Sequence, residues 1–177
     1  LFARLGQSDV NRELVDAVLD EAARFSETVL APLNKVGDDI GCTYDKATGS
    51  VTAPPGFKQA FDQFVEGGWT GLTNAPEHGA VQALETYGED WQKKVFLEPL
   101  VAGTWTGTMC LTEPHCGTDL GLLKTRAEPI ADGSYSVTGT KIFITAGEHD
   151  LVPNIVHLVL AKLPDAPAGA KGISLFV

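Results

Sequence analysis

The sequence predicts an α+β chain built in two successive blocks, an all-α domain over residues 1–103 followed by an incomplete antiparallel β-barrel or sandwich domain over 104–177. Three observations predict it. Apolar residues recur at spacings of three and four through the amino-terminal part, which is the period of an amphipathic helix. Beyond Pro99 the pattern changes to short β-prone runs punctuated by Gly, Pro and Asp, as expected of strands joined by turns. Helices grouped first and strands grouped second, rather than alternating, point to α+β.

In chain order, Val10, Leu14, Ala17, Val18, Ala22, Phe25 and Val29 mark a helix from Asp9 to Ala31, with Asp9 as its N-cap and Pro32 closing it. Residues 34–55 are polar and broken by Gly and Pro, which reads as a loop with a short hairpin around Lys46 to Ser50. Pro54-Pro55-Gly56 opens a second helix whose buried stripe is Phe57, Phe61, Phe64 and Val65, and Gly67-Gly68 ends it. Strands are expected at Thr108 to Thr112, Lys124 to Ile130, Ser134 to Thr145, Ile155 to Leu163 and Gly172 to Val177. The last run ends without a turn, so the β domain is expected to be cut off.

Composition narrows the function classes. Thirteen basic against 23 acidic residues give a net charge of −10, which argues against nucleic acid or an anionic membrane as partner. No window approaches the ~18 uncharged apolar residues of a membrane helix. Cys42, Cys110 and Cys116 cannot all pair and form no ligand set by spacing, so free thiols in a reducing compartment and no metal are expected. His115 beside Cys116 is not read as a nucleophile pair, because neighbours on an extended backbone point to opposite sides.

Two segments carry the chemistry. In Met109-Cys110-Leu111-Thr112-Glu113-Pro114-His115-Cys116-Gly117-Thr118-Asp119, a short strand is broken by Pro114 and followed by a turn whose N–H groups can hold a phosphate. In Lys141-Ile142-Phe143-Ile144-Thr145-Ala146-Gly147, polar and apolar residues alternate as in a half-buried strand, which would place Lys141, Phe143 and Thr145 on one face. Glu113 is expected to fix its turn through backbone bonds, Lys141 to be solvated, and His149 and Asp150 to form a polar turn.

The pair, with the Asp132-Gly133 hairpin between, resembles the two signature segments of the acyl-CoA dehydrogenases, flavoenzymes that introduce a Cα–Cβ double bond into an acyl thioester. The first segment together with Phe143 to Asp150 is similar to the larger bacterial branch that includes 3-methylmercaptopropionyl-CoA dehydrogenase. The resemblance implies FAD as cofactor, an acyl-CoA as substrate, an electron-transferring flavoprotein as acceptor, and a homodimer or homotetramer. It implies that Leu111 and Thr112 face the pyrimidine end of the flavin, that Gly117 and Thr118 approach its pyrophosphate, that Phe143 packs against its ring and that Thr145 bonds N5. Met109 stands at a cofactor-lining position and Thr118 also at a substrate-binding one. Many members carry Trp where this chain has Phe143, and an aromatic residue where it has Met109.

The resemblance also places the catalytic base, a glutamate, on a C-terminal helical domain beyond this chain, so no residue here is assigned as catalytic, and the chain alone is expected to be inactive and a poor FAD binder. Family members have a substantial helical segment between the equivalents of Gly79 and Leu84, where this chain has only Ala80-Val81-Gln82-Ala83, so a stretch is expected to be missing near 79–81. Two alternatives stay open: a flavin oxidase or monooxygenase on the same scaffold, and a scaffold protein without chemistry. The thiols and the absence of an export signal suggest a cytoplasmic location, or a mitochondrial one in a eukaryote.

Overall fold

The computed structural model describes residues 10–72 and 79–177, and its contacts divide the chain into two compact units, 1–63 and 64–177. The expected cap Asp9 and most of the segment from Gly71 to Gly79 lie outside the described residues.

In the first unit, helix α1 spans Arg12–Phe25 and is capped by Asn11, whose side chain accepts the Leu14 N–H at 2.8 Å. Pro32 does not close it. The chain passes through a wide turn at Ser26–Leu30, in which the Ala31 N–H reaches back five residues to the Ser26 carbonyl, and continues as α2, Ala31–Ile40. Proline is tolerated there because it falls in the first turn of α2, where its missing N–H costs little. Gly41, at φ 66°, ends the helix. The hairpin expected around Lys46 to Ser50 is present: β1 (Thr43–Tyr44) pairs antiparallel with β2 (Val51–Thr52). Helix α3, Phe57–Glu66, runs across the division between the units, with Ala60 buried.

The second unit adds α4 (Trp69–Leu72), α5 (Gly79–Tyr87), α6 (Asp90–Gln92) and α7 (Glu98–Val101), then strands β3 (Thr106–Cys110), β4 (Arg126–Pro129), β5 (Tyr135–Thr138), β6 (Ile155–Lys162) and β7 (Ile173–Phe176). The α+β class is as expected. The sheet, however, is mixed rather than antiparallel. β6 is its centre: β7 lies antiparallel along one edge, while β3 and then β4 lie parallel along the other, and β5 pairs antiparallel with β4. Parallel neighbours need a long crossover. Residues 111–154 supply it between β3 and β6, and within it sit the first signature segment from Leu111 on, the whole of the second, and the β4–β5 hairpin, which turns at Gly133 (φ 88°). The core of the unit is Leu84, Cys110, Leu123, Ala127, Val156, Leu158 and Ala161.

The strand expected from Ser134 to Thr145 stops at Thr138. At Gly139 a Cβ would lie 2.3 Å from the Thr125 hydroxyl, so the chain passes too close to its neighbour for a side chain. Farther on, Phe143 (φ 57°) and Ala146 (φ 52°) adopt left-handed backbone that no strand accommodates. The alternation of residues 141–145 is therefore not a strand face. Lys141 points inward, and Phe143 and Thr145 are exposed.

Candidate functional site

The two segments are brought together by backbone and by charge. β3 ends at Cys110, and the Thr112 carbonyl beyond it accepts the Ile142 N–H at 2.9 Å. One residue on, Pro114 starts a tight turn closed by reciprocal bonds between Glu113 and Cys116, the Glu113 N–H donating at 2.8 Å and the Cys116 N–H at 3.1 Å. The Glu113 carboxylate, 3% exposed, points back under the site. There it accepts the Lys124 N–H (2.8 Å), the Thr125 N–H (3.0 Å), the Thr125 hydroxyl and the Lys141 ammonium (2.9 Å). Lys141 also donates to the Leu111 carbonyl at 3.1 Å. Lys141 is thus not the solvated residue its position suggested; it ties the second segment to the first.

Burial alone would raise the Glu113 pKa, yet the donors around it outweigh desolvation and hold it at about 2 against an ordinary 4.5. Lowering by the folded state means that folding favours the ionised form. The corresponding stability, about 3 kcal/mol at 1.36 kcal/mol per pH unit, is fully present above pH 4.5 and is lost as pH falls toward 2. Measured unfolding free energies should therefore decline across that window in the native protein, and a Glu113→Gln variant should show a flatter profile there.

What this frame presents outward suits an anionic, planar ligand. Among the described residues, the N–H groups of Gly117, Thr118 and Asp119 donate to no protein atom, and the hydroxyls of Thr112, Thr118 and Thr145 have no hydrogen-bond partner. Gly117 lies against Thr112, where a Cβ would come within 3.3 Å of the Thr112 methyl. Met109 is 44% exposed and Phe143 is 89% exposed, an aromatic ring held in solvent by a left-handed backbone. Such strain, on the order of 1 kcal/mol or more, persists where the surroundings impose it. Leu111, Thr112 and Gly117 are half-buried, and Thr118 and Thr145 are exposed. The structure brings Leu111, Thr112 and Gly117 together and joins them to the segment bearing Phe143; no bond among the described residues links Thr118 or Thr145 to that group.

Sequence reasoning missed the hub formed by Glu113, Thr125 and Lys141. A carboxylate at the mouth of an apolar strand and a lysine amid Ile and Phe were the available signals, since buried charges occur in compensated sets. His149 is a polar-turn residue as expected, and it also bridges to β3. Its Nδ1 accepts the Leu151 N–H (3.2 Å), so Nε2 carries the proton and donates to the Thr106 hydroxyl (3.2 Å). His115 and Cys116 also meet Glu113, with their ligand-type atoms within 4.8 Å, because 113–116 is a turn and not the extended backbone expected from its residues. That group does not make a metal centre. Its carboxylate is occupied by four donors, one of them an ammonium that opposes a cation.

No family model matches the chain. It is 42% identical to 3-methylmercaptopropionyl-CoA dehydrogenase of Ruegeria pomeroyi, over 96% of this chain and 34% of that protein, and 34% identical to a butyryl-CoA dehydrogenase of Syntrophomonas wolfei, over 92% and 32%. Among solved structures it is similar to the butyryl-CoA dehydrogenase of Megasphaera elsdenii, with 27% identity and a TM-score of 0.69 over 94% of this chain and 48% of that one. The fold is therefore that of a class of dehydrogenases named for acyl-CoA substrates. The chain belongs to the acyl-CoA dehydrogenase family, matching the amino-terminal and middle region of its members. It spans about a third of the length of the curated relatives it matches. The alignment to the Ruegeria protein covers 202 positions, so about thirty of them have no counterpart in this 177-residue chain.

Proposed function

We propose that this chain is the amino-terminal helical domain (1–103) and part of the middle β domain (104–177) of an FAD-dependent acyl-CoA dehydrogenase. The observation that carries the reading is the joining of the two segments by the Ile142–Thr112 bond and the Lys141–Glu113 pair, beside a run of uncommitted N–H and hydroxyl groups. No side chain accepts hydride, so removing a Cα proton and a Cβ hydride needs a cofactor, and FAD supplies the hydride acceptor.

This chain's part is binding and polarisation. The backbone of Leu111 and the backbone and hydroxyl of Thr112 would bond the pyrimidine edge, stabilising negative charge that develops there. Gly117 and Thr118 would take the pyrophosphate with free N–H groups, and Gly117 lets backbone approach it. The Phe143 ring would cover the flavin, Met109 would line it, and Thr145 would bond N5. Thr118 would also touch substrate. The catalytic glutamate would come from a C-terminal domain, so the chain by itself should be inactive. The absence of the family's helical segment before Leu84 fits the thirty unmatched positions. An electron-transferring flavoprotein as acceptor, a homodimer or homotetramer, and a cytoplasmic location complete the proposal. Among the described residues no helix is long and apolar enough to cross a membrane.

The test is the anaerobic visible spectrum of the protein in its full-length form during titration with saturated acyl-CoAs, the methylmercaptopropionyl thioester included. Flavin bands that bleach with one of them are the expected result. A protein that is colourless and stays so with added FAD would overturn the reading.

A further inference from the structure

We infer that the cavity beside the end of β6 is a phosphate-binding site, distinct from the flavin-facing segments. It has a volume of about 530 Å³ and is lined by Lys124, Arg126, Glu128 and Lys162, with Leu123 and Pro164 among its apolar walls. Lys124, Arg126 and Glu128 alternate with buried Thr125 and Ala127, so all three project from the same outer face of the β4 segment. Arg126 and Lys162 are direct partners in the parallel β4–β6 ladder. Two cations are thereby held side by side on one face.

Three facts single this cluster out. Five other cations among the described residues lie against acids, Arg12 with Asp16, Arg24 with Glu21, Lys35 with Asp39, Lys58 with Asp62 and Lys141 with Glu113, while Lys46, Lys93, Lys94 and Lys171 stand without an ion pair; what is particular to Lys124, Arg126 and Lys162 is that three cations line one cavity. In a chain of net charge −10, acidic partners are plentiful, yet among the described residues Lys124 and Arg126 form no ion pair, and Lys162 donates only to the Gly121 carbonyl, at 2.9 Å. Arg126 and Lys162 are neighbours in the parallel ladder and carry the same charge, a Coulombic repulsion that a bound anion would relieve. The donor set suits phosphate in particular. One guanidinium-bearing and two ammonium-bearing side chains line the cavity against a single carboxylate, Glu128, a net positive donor set that suits a group with several acceptor oxygens and up to two negative charges.

The phosphate can come from a coenzyme A ligand or be a free ion, and calorimetry with coenzyme A, 3′-dephospho-coenzyme A and inorganic phosphate separates these. The expected result is binding that Arg126→Gln or Lys124→Gln each weakens about tenfold. Weakening for coenzyme A alone assigns the site to the ribose 3′-phosphate, weakening for both coenzymes assigns it to the diphosphate, and weakening only for inorganic phosphate assigns it to the free ion. Arg126→Gln should also raise the midpoint of thermal unfolding of the unliganded protein, a change that loss of structure would reverse in sign. Binding of all three probes that ignores both substitutions, or no binding at low salt, overturns the proposal. FAD binding followed in the same variants should be unchanged, so failure of this site and failure of the flavin reading are told apart.

Discussion

Glu113→Ala should cost the protein about 3–5 kcal/mol of unfolding free energy, the range for removing one partner of a buried ion pair. The carboxylate accepts four donors and is 3% exposed, so its removal leaves the Lys124 and Thr125 N–H groups, the Thr125 hydroxyl and the Lys141 ammonium without that acceptor. The ammonium is the costly one, because its side chain is 10% exposed and keeps only the Leu111 carbonyl. Adding Lys141→Met to Glu113→Ala should therefore restore part of the loss, and urea unfolding of the four proteins of that cycle measures how much. The same substitution should speed amide exchange at Ile142, whose N–H bond to Thr112 joins the two signature segments. A loss below about 1 kcal/mol, within the range of exposed pairs, would show that the hub is dispensable.

Leu158→Ala should be nearly as damaging, at about 2–5 kcal/mol. Leu158 is fully buried in the central strand β6, with Val156 and Ala161 of the same strand also buried, and it pairs in register with Met109 of β3. Truncation leaves a void at the strand that joins both edges of the sheet. Leu158→Met, which conserves volume, should cost less than about 1.5 kcal/mol, and comparison of the two by denaturant midpoint separates cavity formation from mere change of residue.

Much of the fold was legible because its cues are local. Phe57, Phe61, Phe64 and Val65 sit at helical spacing, and α3 forms there; Asp132-Gly133 marks a turn, and the β4–β5 hairpin turns there. The helix boundaries went astray where a local rule met a tertiary accommodation. Pro32 normally ends a helix, but a five-residue wide turn just before it lets the chain continue to Ile40. Strand direction was not legible at all, since β propensity is the same for parallel and antiparallel neighbours, and the mixed sheet depends on how residues 111–154 cross over. In the candidate site, the residue types at 109–118 and 143–145 carried the resemblance, but the alternation of Lys141, Phe143 and Thr145 suggested a strand that left-handed Phe143 and Ala146 rule out.

By itself, then, the sequence determined the order of helical and β elements, the two signature segments and, through them, the family. Each of these is a matter of residue type at short range. Only the tertiary structure decided that Glu113 and Lys141, 28 residues apart, form the buried pair that joins those segments, and that Arg126 and Lys162 stand side by side over a cavity. Both are contacts across strands and loops, and the energy of a charge depends on what lies beside it in space, which no local pattern encodes.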